Sequence, residues 1–104
     1  LKMETYNALI KSVEVYREDH GIPTCTVHLE YDDGFSQGFG GYDLRHLPYQ
    51  TFLFDMMDAV GATSLNKMVG MNCRIRKNDS MGYITSIGHI MKDQWFYPEG
   101  ITDE

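Results

Sequence analysis

Thr24-Cys25-Thr26-Val27-His28-Leu29-Glu30-Tyr31-Asp32-Asp33-Gly34-Phe35-Ser36-Gln37-Gly38-Phe39-Gly40-Gly41-Tyr42 is the stretch that decides the fold. Its first eight residues alternate strictly. Cys25, Val27, Leu29 and Tyr31 face one way, and Thr24, Thr26, His28 and Glu30 the other, which is the pattern of a half-buried β-strand. Asp32-Asp33-Gly34 is a hairpin turn signal. Residues 35–44 then read as a return strand, and residues 34–42 carry four glycines and three aromatics. Glycine weakens a strand and marks a bulge, a tight bend or a close backbone approach. At least one of Gly38, Gly40 and Gly41 is therefore expected to have a positive φ or to lie against another chain segment.

Working outward, residues 6–16 form a first strand rich in β-formers. Ala8 and Ile10 share one parity and Val13 and Val15 the other, so a bulge or bend is expected near Lys11-Ser12. After the glycine segment, Tyr49, Phe52, Leu53, Met56, Met57 and Val60 recur at helical spacing. Pro48 suits the first turn and Gly61 the C-terminal cap. The helix is expected over 48–60, with Leu53 and Met56 buried and Phe54 off the apolar stripe. Residues 63–70 suit a short capped turn or a single helical turn. A fourth strand follows around Met71, Cys73 and Ile75, then a hairpin connection at 78–82, and a fifth strand at 83–91 with imperfect parity. Trp95-Phe96-Tyr97-Pro98 closes the ordered part, and the acidic tail 99–104 is expected to fray. The order β-β-β-α-β-β with short turns implies an α+β domain over 1–104: a mostly antiparallel sheet of about five strands with one amphipathic helix packed on one face.

The chain has 104 residues and a formal net charge of −6. Residues 1–58 hold ten acids against four bases, while 59–104 hold five of each, with Arg74, Arg76 and Lys77 clustered. General nucleic-acid affinity needs a basic footprint and is excluded by this balance. An acidic face that meets a basic partner fits it. Cys25 and Cys73 lie far apart at apolar positions and read as buried free thiols. No secretory or membrane-spanning segment is visible, so a cytoplasmic location is expected. Leu1 leaves the native start of the chain open, with Met3 a candidate initiator.

Few residues carry chemistry. The glycine segment fails as a phosphate loop, because GxGxxG would need glycine where Asp43 stands, and no GK[ST] follows. His20, His28, His46 and His89 form no HxH or HxxxH pair, so no metal is implied. Asp32-Asp33 reads as a turn, Asp55 and Asp58 as a solvated helix face, and Ser36 and Ser64 lack an elbow context. No catalytic residue and no cofactor are implied, and the chain is not expected to be an enzyme. Arg74 and Arg76 project together from one side of a strand, as solvated surface or as a site for an anion or an acidic partner. Trp95 reads either as a lid on the core or as part of a subunit interface. Exposed aromatics at Phe54, Trp95 and Phe96 would give a homodimer surface. The edge of the first strand is the fallback interface.

Three blocks, Ser36-Gln37-Gly38-Phe39-Gly40-Gly41-Tyr42, Val69-Gly70-Met71-Asn72-Cys73-Arg74-Ile75-Arg76 and Ile87-Gly88-His89-Ile90-Met91-Lys92-Asp93-Gln94-Trp95-Phe96, give the chain a resemblance. It resembles a family of small uncharacterised proteins encoded by phages and prophages. The resemblance implies an accessory role in the bacterial host's cytoplasm: a non-enzymatic protein that binds a host or phage protein, including as an inhibitor of host defence. The alternative is a small-ligand or nucleotide-binding module. Either would draw on Gly38, Phe39, Gly40, Gly41, Tyr42, Arg74 and Arg76.

Overall fold

A computed structural model describes residues 3–78 and 82–100. The centre of the expected 78–82 hairpin, the tail beyond Gly100 and the first two residues lie outside that range. Three strands, β1 (Met3–Arg17), β2 (Pro23–Tyr31) and β3 (Ser36–Gly40), precede a 3-10 turn (Leu47–Tyr49), helix α1 (Phe52–Val60) and the single-turn α2 (Leu65–Met68). Strands β4 (Asn72–Asn78), β5 (Ile84–His89) and β6 (Trp95–Phe96) follow. The six strands form an antiparallel sheet in the order β3-β2-β1-β4-β5-β6. The α+β, antiparallel architecture expected from the sequence is present, with Trp95-Phe96 added as a sixth strand against Gly88 and Ile87.

β1 runs through the middle of the sheet. Its pairing with β2 shifts register between Ile10 and Ser12, where the switch of apolar parity predicts a bulge. The extra residue keeps Ala8 and Ile10 on the same face as Val13 and Val15. A second shift, between Arg76 and Lys77, accounts for the imperfect parity of β5. Asp32-Asp33-Gly34 makes the β2–β3 hairpin: Gly34 takes φ 90°, and its N–H donates to Tyr31 O at 2.9 Å.

β3 is shorter than the 35–44 the pattern suggests, because Gly40 and Gly41 have φ of 128° and 82° and turn the chain out of the strand. The helix also starts later than Pro48. Residues 47–49 form a 3-10 turn, and α-helical geometry begins only at Phe52. Gly61 closes α1 in the left-handed conformation, its N–H donating to Met57 O at 2.9 Å. Ser64 caps α2 by accepting from Lys67 N–H.

The core joins Ile10, Val27, Leu29, Phe39, Ile75 and Ile87 of the sheet to Phe52, Met56, Val60 and Met68 of the helices. Met56 is fully buried and Leu53 half-buried. β3 and β6 are the two ends of the sheet, yet Phe39 and Phe96 both pack on Phe52, with ring centroids 5.8 and 5.5 Å away. The sheet therefore curls around α1 until both of its edges reach the same ring. Cys25 and Cys73 are free and buried in this core. Burial pushes their thiols up to about 11 and about 12, so neither presents a thiolate near neutral pH.

Ser86 is fully buried on β5, and its Oγ has no hydrogen-bond partner among the described residues. Leaving a buried hydroxyl unpaired costs free energy that removing it recovers. Ser86→Ala is expected to raise the unfolding free energy by about 1–2 kcal/mol. Urea denaturation measures this, and a clear loss of stability would mean that the hydroxyl is bonded after all.

Candidate functional site

Cys73 and Ile75 point from β4 into the core, so Arg74 and Arg76 point to the outer face. On that face the register places Gly88 beside Arg74 and Trp95 beside Gly88. The glycine is required there. A Cβ at Gly88 would lie 2.6 Å from Cε3 of Trp95 and 2.7 Å from Gln94 O. With no side chain in the way, the indole lies down across β5 toward the two arginines. The guanidinium carbon of Arg76 sits 3.8 Å from the indole centroid, and that of Arg74 4.9 Å. Both are within cation–π range.

The surrounding bonds hold this stack in place. Arg74 donates from Nε to His89 O and from Nη2 to Lys92 O, each at 2.8 Å, so it clamps the turn between β5 and β6. The Nδ1 of His89 accepts from Met91 and Lys92 N–H at 3.0 Å inside the same turn. Arg76 Nη1 donates to the Tyr97 hydroxyl. Trp95 Nε1 donates to Asp93 at 3.1 Å. Neither arginine forms an ion pair among the described residues. The pairs present there are Lys11–Glu30, His20–Glu18, His28–Glu14 and Arg45–Asp43. Two guanidinium groups thus share one aromatic plane with no ion pair to either among the described residues, while the edge of the indole is bonded to Asp93. Trp95 also lines an open cleft of about 610 Å³, together with Asp55, Asp58, Asp93 and Phe96, among others.

The glycine segment builds a separate cleft of about 340 Å³. Gln37, Gly38, Phe39, Gly40, Gly41 and Tyr42 form one wall, and Tyr83, Ile84 and Glu99 the other. The Tyr42 hydroxyl donates to Glu99 at 3.0 Å. Burial, and then that bond, push the Tyr42 phenol up. Arg74 and Arg76 do not line this cleft. β4 is three strands from β3 in the sheet, roughly 14 Å at normal strand spacing. The structure therefore does not gather the two sets of expected binding residues, and the glycine cleft presents a carboxylate where a phosphate would need cations.

Phe54, Trp95 and Phe96 part company as well. Phe54 is 65% exposed on α1. Phe96 turns inward onto Phe52, while Trp95, its neighbour in β6, faces the arginines. Sequence reasoning missed Gly88 and Tyr97 as members of the arginine site. The glycine inside Ile87-Gly88-His89 was the available signal, since a strand glycine marks close approach. A further cleft places the Lys77 ammonium 4.9 and 4.6 Å from the Tyr6 and Tyr31 rings. Among the described residues no group of three or more His, Cys, Asp or Glu could hold a metal ion. No helix there is long and apolar enough to cross a membrane. No protein-family model matches the chain, and no curated protein matches it.

Proposed function

We propose that the chain is a non-enzymatic binding protein that acts on a host or phage protein, and that Arg74, Arg76 and Trp95 are its contact surface for an acidic segment of that partner. The observation that carries this reading is the pair of guanidinium groups stacked on one indole with no ion pair of their own among the described residues. Arginine matches carboxylate geometry with paired N–H donors. Tryptophan, arginine and tyrosine are the residues that dominate binding energy at protein interfaces. The stack is a basic island on a chain of net charge −6, and such an island orients an incoming acidic partner by steering and by repulsion elsewhere. The resemblance to phage-encoded proteins supplies the setting, the bacterial cytoplasm, and inhibition of a host defence system is the form the role takes there. A nucleotide site drawing jointly on Gly38–Gly41 and the arginines has no shared cleft to occupy.

Arg76 is the residue to reverse, because Arg74 also holds the 89–92 turn. Arg76→Glu is expected to weaken capture of the partner from host lysate by at least about 30-fold, with the far-UV dichroism of the folded chain retained. Raising salt is expected to weaken wild-type capture in the same direction. A partner that Arg76→Glu and Trp95→Ala both retain at full strength would move the contact surface elsewhere.

A further inference from the structure

The outer half of β1 is an open edge, and its hydrogen-bonding phase can be read from the turn that follows it. Glu18 N–H donates to Ile22 O at 3.0 Å. Residues 18 and 22 continue the register in which Tyr16 faces Thr24 and Arg17 faces Pro23. Bonded and non-bonded pairs alternate along an antiparallel ladder. Ser12, Glu14 and Tyr16 therefore bond to β2, and Val13, Val15 and Arg17 aim their N–H and C=O groups away from it. Pro23, which has no N–H, faces Arg17 at a position where none is called for. On the far side, β4 covers β1 only as far as Leu9, which faces Asn72. Gly70 N–H to Ile10 O at 2.8 Å and Ile10 N–H to Met71 O at 2.9 Å extend the cover by one residue. Past Ile10 the outward groups of Val13, Val15 and Arg17 have no backbone partner among the described residues. Val15 is 52% exposed and Tyr16 41%. No proline or lysine interrupts residues 12–16, the usual means of blunting such an edge.

We propose that a second copy of this chain docks on this edge, antiparallel, about a twofold axis at Val15. The choice of axis follows from charge. Centring on Glu14 sets two carboxylates directly opposite. Centring on Tyr16 sets Glu14 against Glu18 twice, and centring on Arg17 sets two guanidinium groups opposite. Like charges in facing positions are destabilising. Centring on Val13 runs into the Gly70-Met71 segment that already occupies Ile10. With Val15 facing Val15, Val13 faces Arg17, Glu14 faces Tyr16 and Ser12 faces Glu18. No like charges oppose along these paired residues. All three outward residues then exchange both backbone bonds with the other copy. The two sheets become one continuous sheet, and the exposed Val15 side chains cover each other. The arginine site lies on β4 and β6 and stays free, so this assembly and the proposed partner surface are independent.

Sedimentation equilibrium of the full chain across micromolar to high-micromolar concentration is the test. The wild type is expected at twice the 12.0 kDa chain mass. Val15→Pro removes the N–H at the axis, which the β2 ladder does not use, and is expected to give a monomer with unchanged far-UV dichroism. Val15→Cys decides the matter where the proline variant fails to fold. Facing bonded residues lie about 5.5 Å apart at Cα, within disulfide range. Oxidised glutathione is expected to convert Val15→Cys to a covalent dimer, reducing glutathione as the two thiols join, while Tyr16→Cys, which faces Glu14, stays uncoupled. The native cysteines are buried and do not compete. A wild-type mass of 12.0 kDa throughout, a dimer that a folded Val15→Pro leaves intact, or a Val15→Cys that does not cross-link overturns the proposal.

Discussion

Gly40→Ala is expected to lower the unfolding free energy by about 3–5 kcal/mol, the sum of a strained backbone conformation and an overpacked contact. Gly40 has φ 128°, where L side chains rarely sit, and an added Cβ would stand 2.2 Å from the carbonyl oxygen of Cys25. That oxygen cannot yield, because it accepts the Gly41 N–H at 2.8 Å and belongs to the β2 ladder. The neighbouring glycines grade the effect. Gly41 has φ 82° with open space around it, so Gly41→Ala is expected to cost about 1–2 kcal/mol from backbone strain alone. Gly38 would meet only Thr26 Cγ2 at 3.4 Å, and Gly38→Ala is expected within about 0.5 kcal/mol of wild type. Urea midpoints for the three variants test the ranking. Equal losses, or a tolerated Gly40→Ala, would falsify the geometric account of this segment.

Phe52→Ala is the second large effect, expected at about 3–5 kcal/mol. The ring is 1% exposed, and Phe39, Tyr42 and Phe96 all pack on it with centroids within 5.8 Å. Its loss removes apolar burial and leaves a cavity at the point where both ends of the sheet meet α1, so collapse to fill the space would have to bend two strands. Phe54, two residues along and 65% exposed, supplies the control: Phe54→Ala is expected within about 0.5 kcal/mol of wild type. Similar losses for both would mean that Phe54 is covered in solution.

The contrast between these two phenylalanines was legible in the helical spacing, because burial of an amphipathic helix is a local property of its sequence. So were the β1 bulge, the Asp32-Asp33-Gly34 turn and the strain at Gly40 and Gly41, each written in a few adjacent residues. The late start of α1 was not, since Pro48 and an apolar stripe suit a 3-10 turn as well as a first helical turn. Trp95-Phe96 was too short to read as a strand. The arginine site follows from that: spacing put Arg74 and Arg76 on one face, but their indole arrives through the Gly88–Trp95 register, a pairing that no local pattern encodes. The edge of the first strand was legible as a fallback interface, but the open stretch past Ile10 was not. It exists because β4 stops pairing at Leu9, and only the assembled sheet shows where a partner strand ends.

Trp95 is the single tryptophan of the chain, and it stands at the outermost, two-residue strand, between two guanidinium groups and Asp93. The molecule therefore carries its optical probe at the proposed contact surface rather than in its core. Indole emission follows occupancy of that surface without a label. In a melting experiment it follows the release of β6, while backbone dichroism follows the sheet as a whole. The two curves coincide only if this last strand leaves together with the core, so their separation measures how independently the edge that bears the site can open.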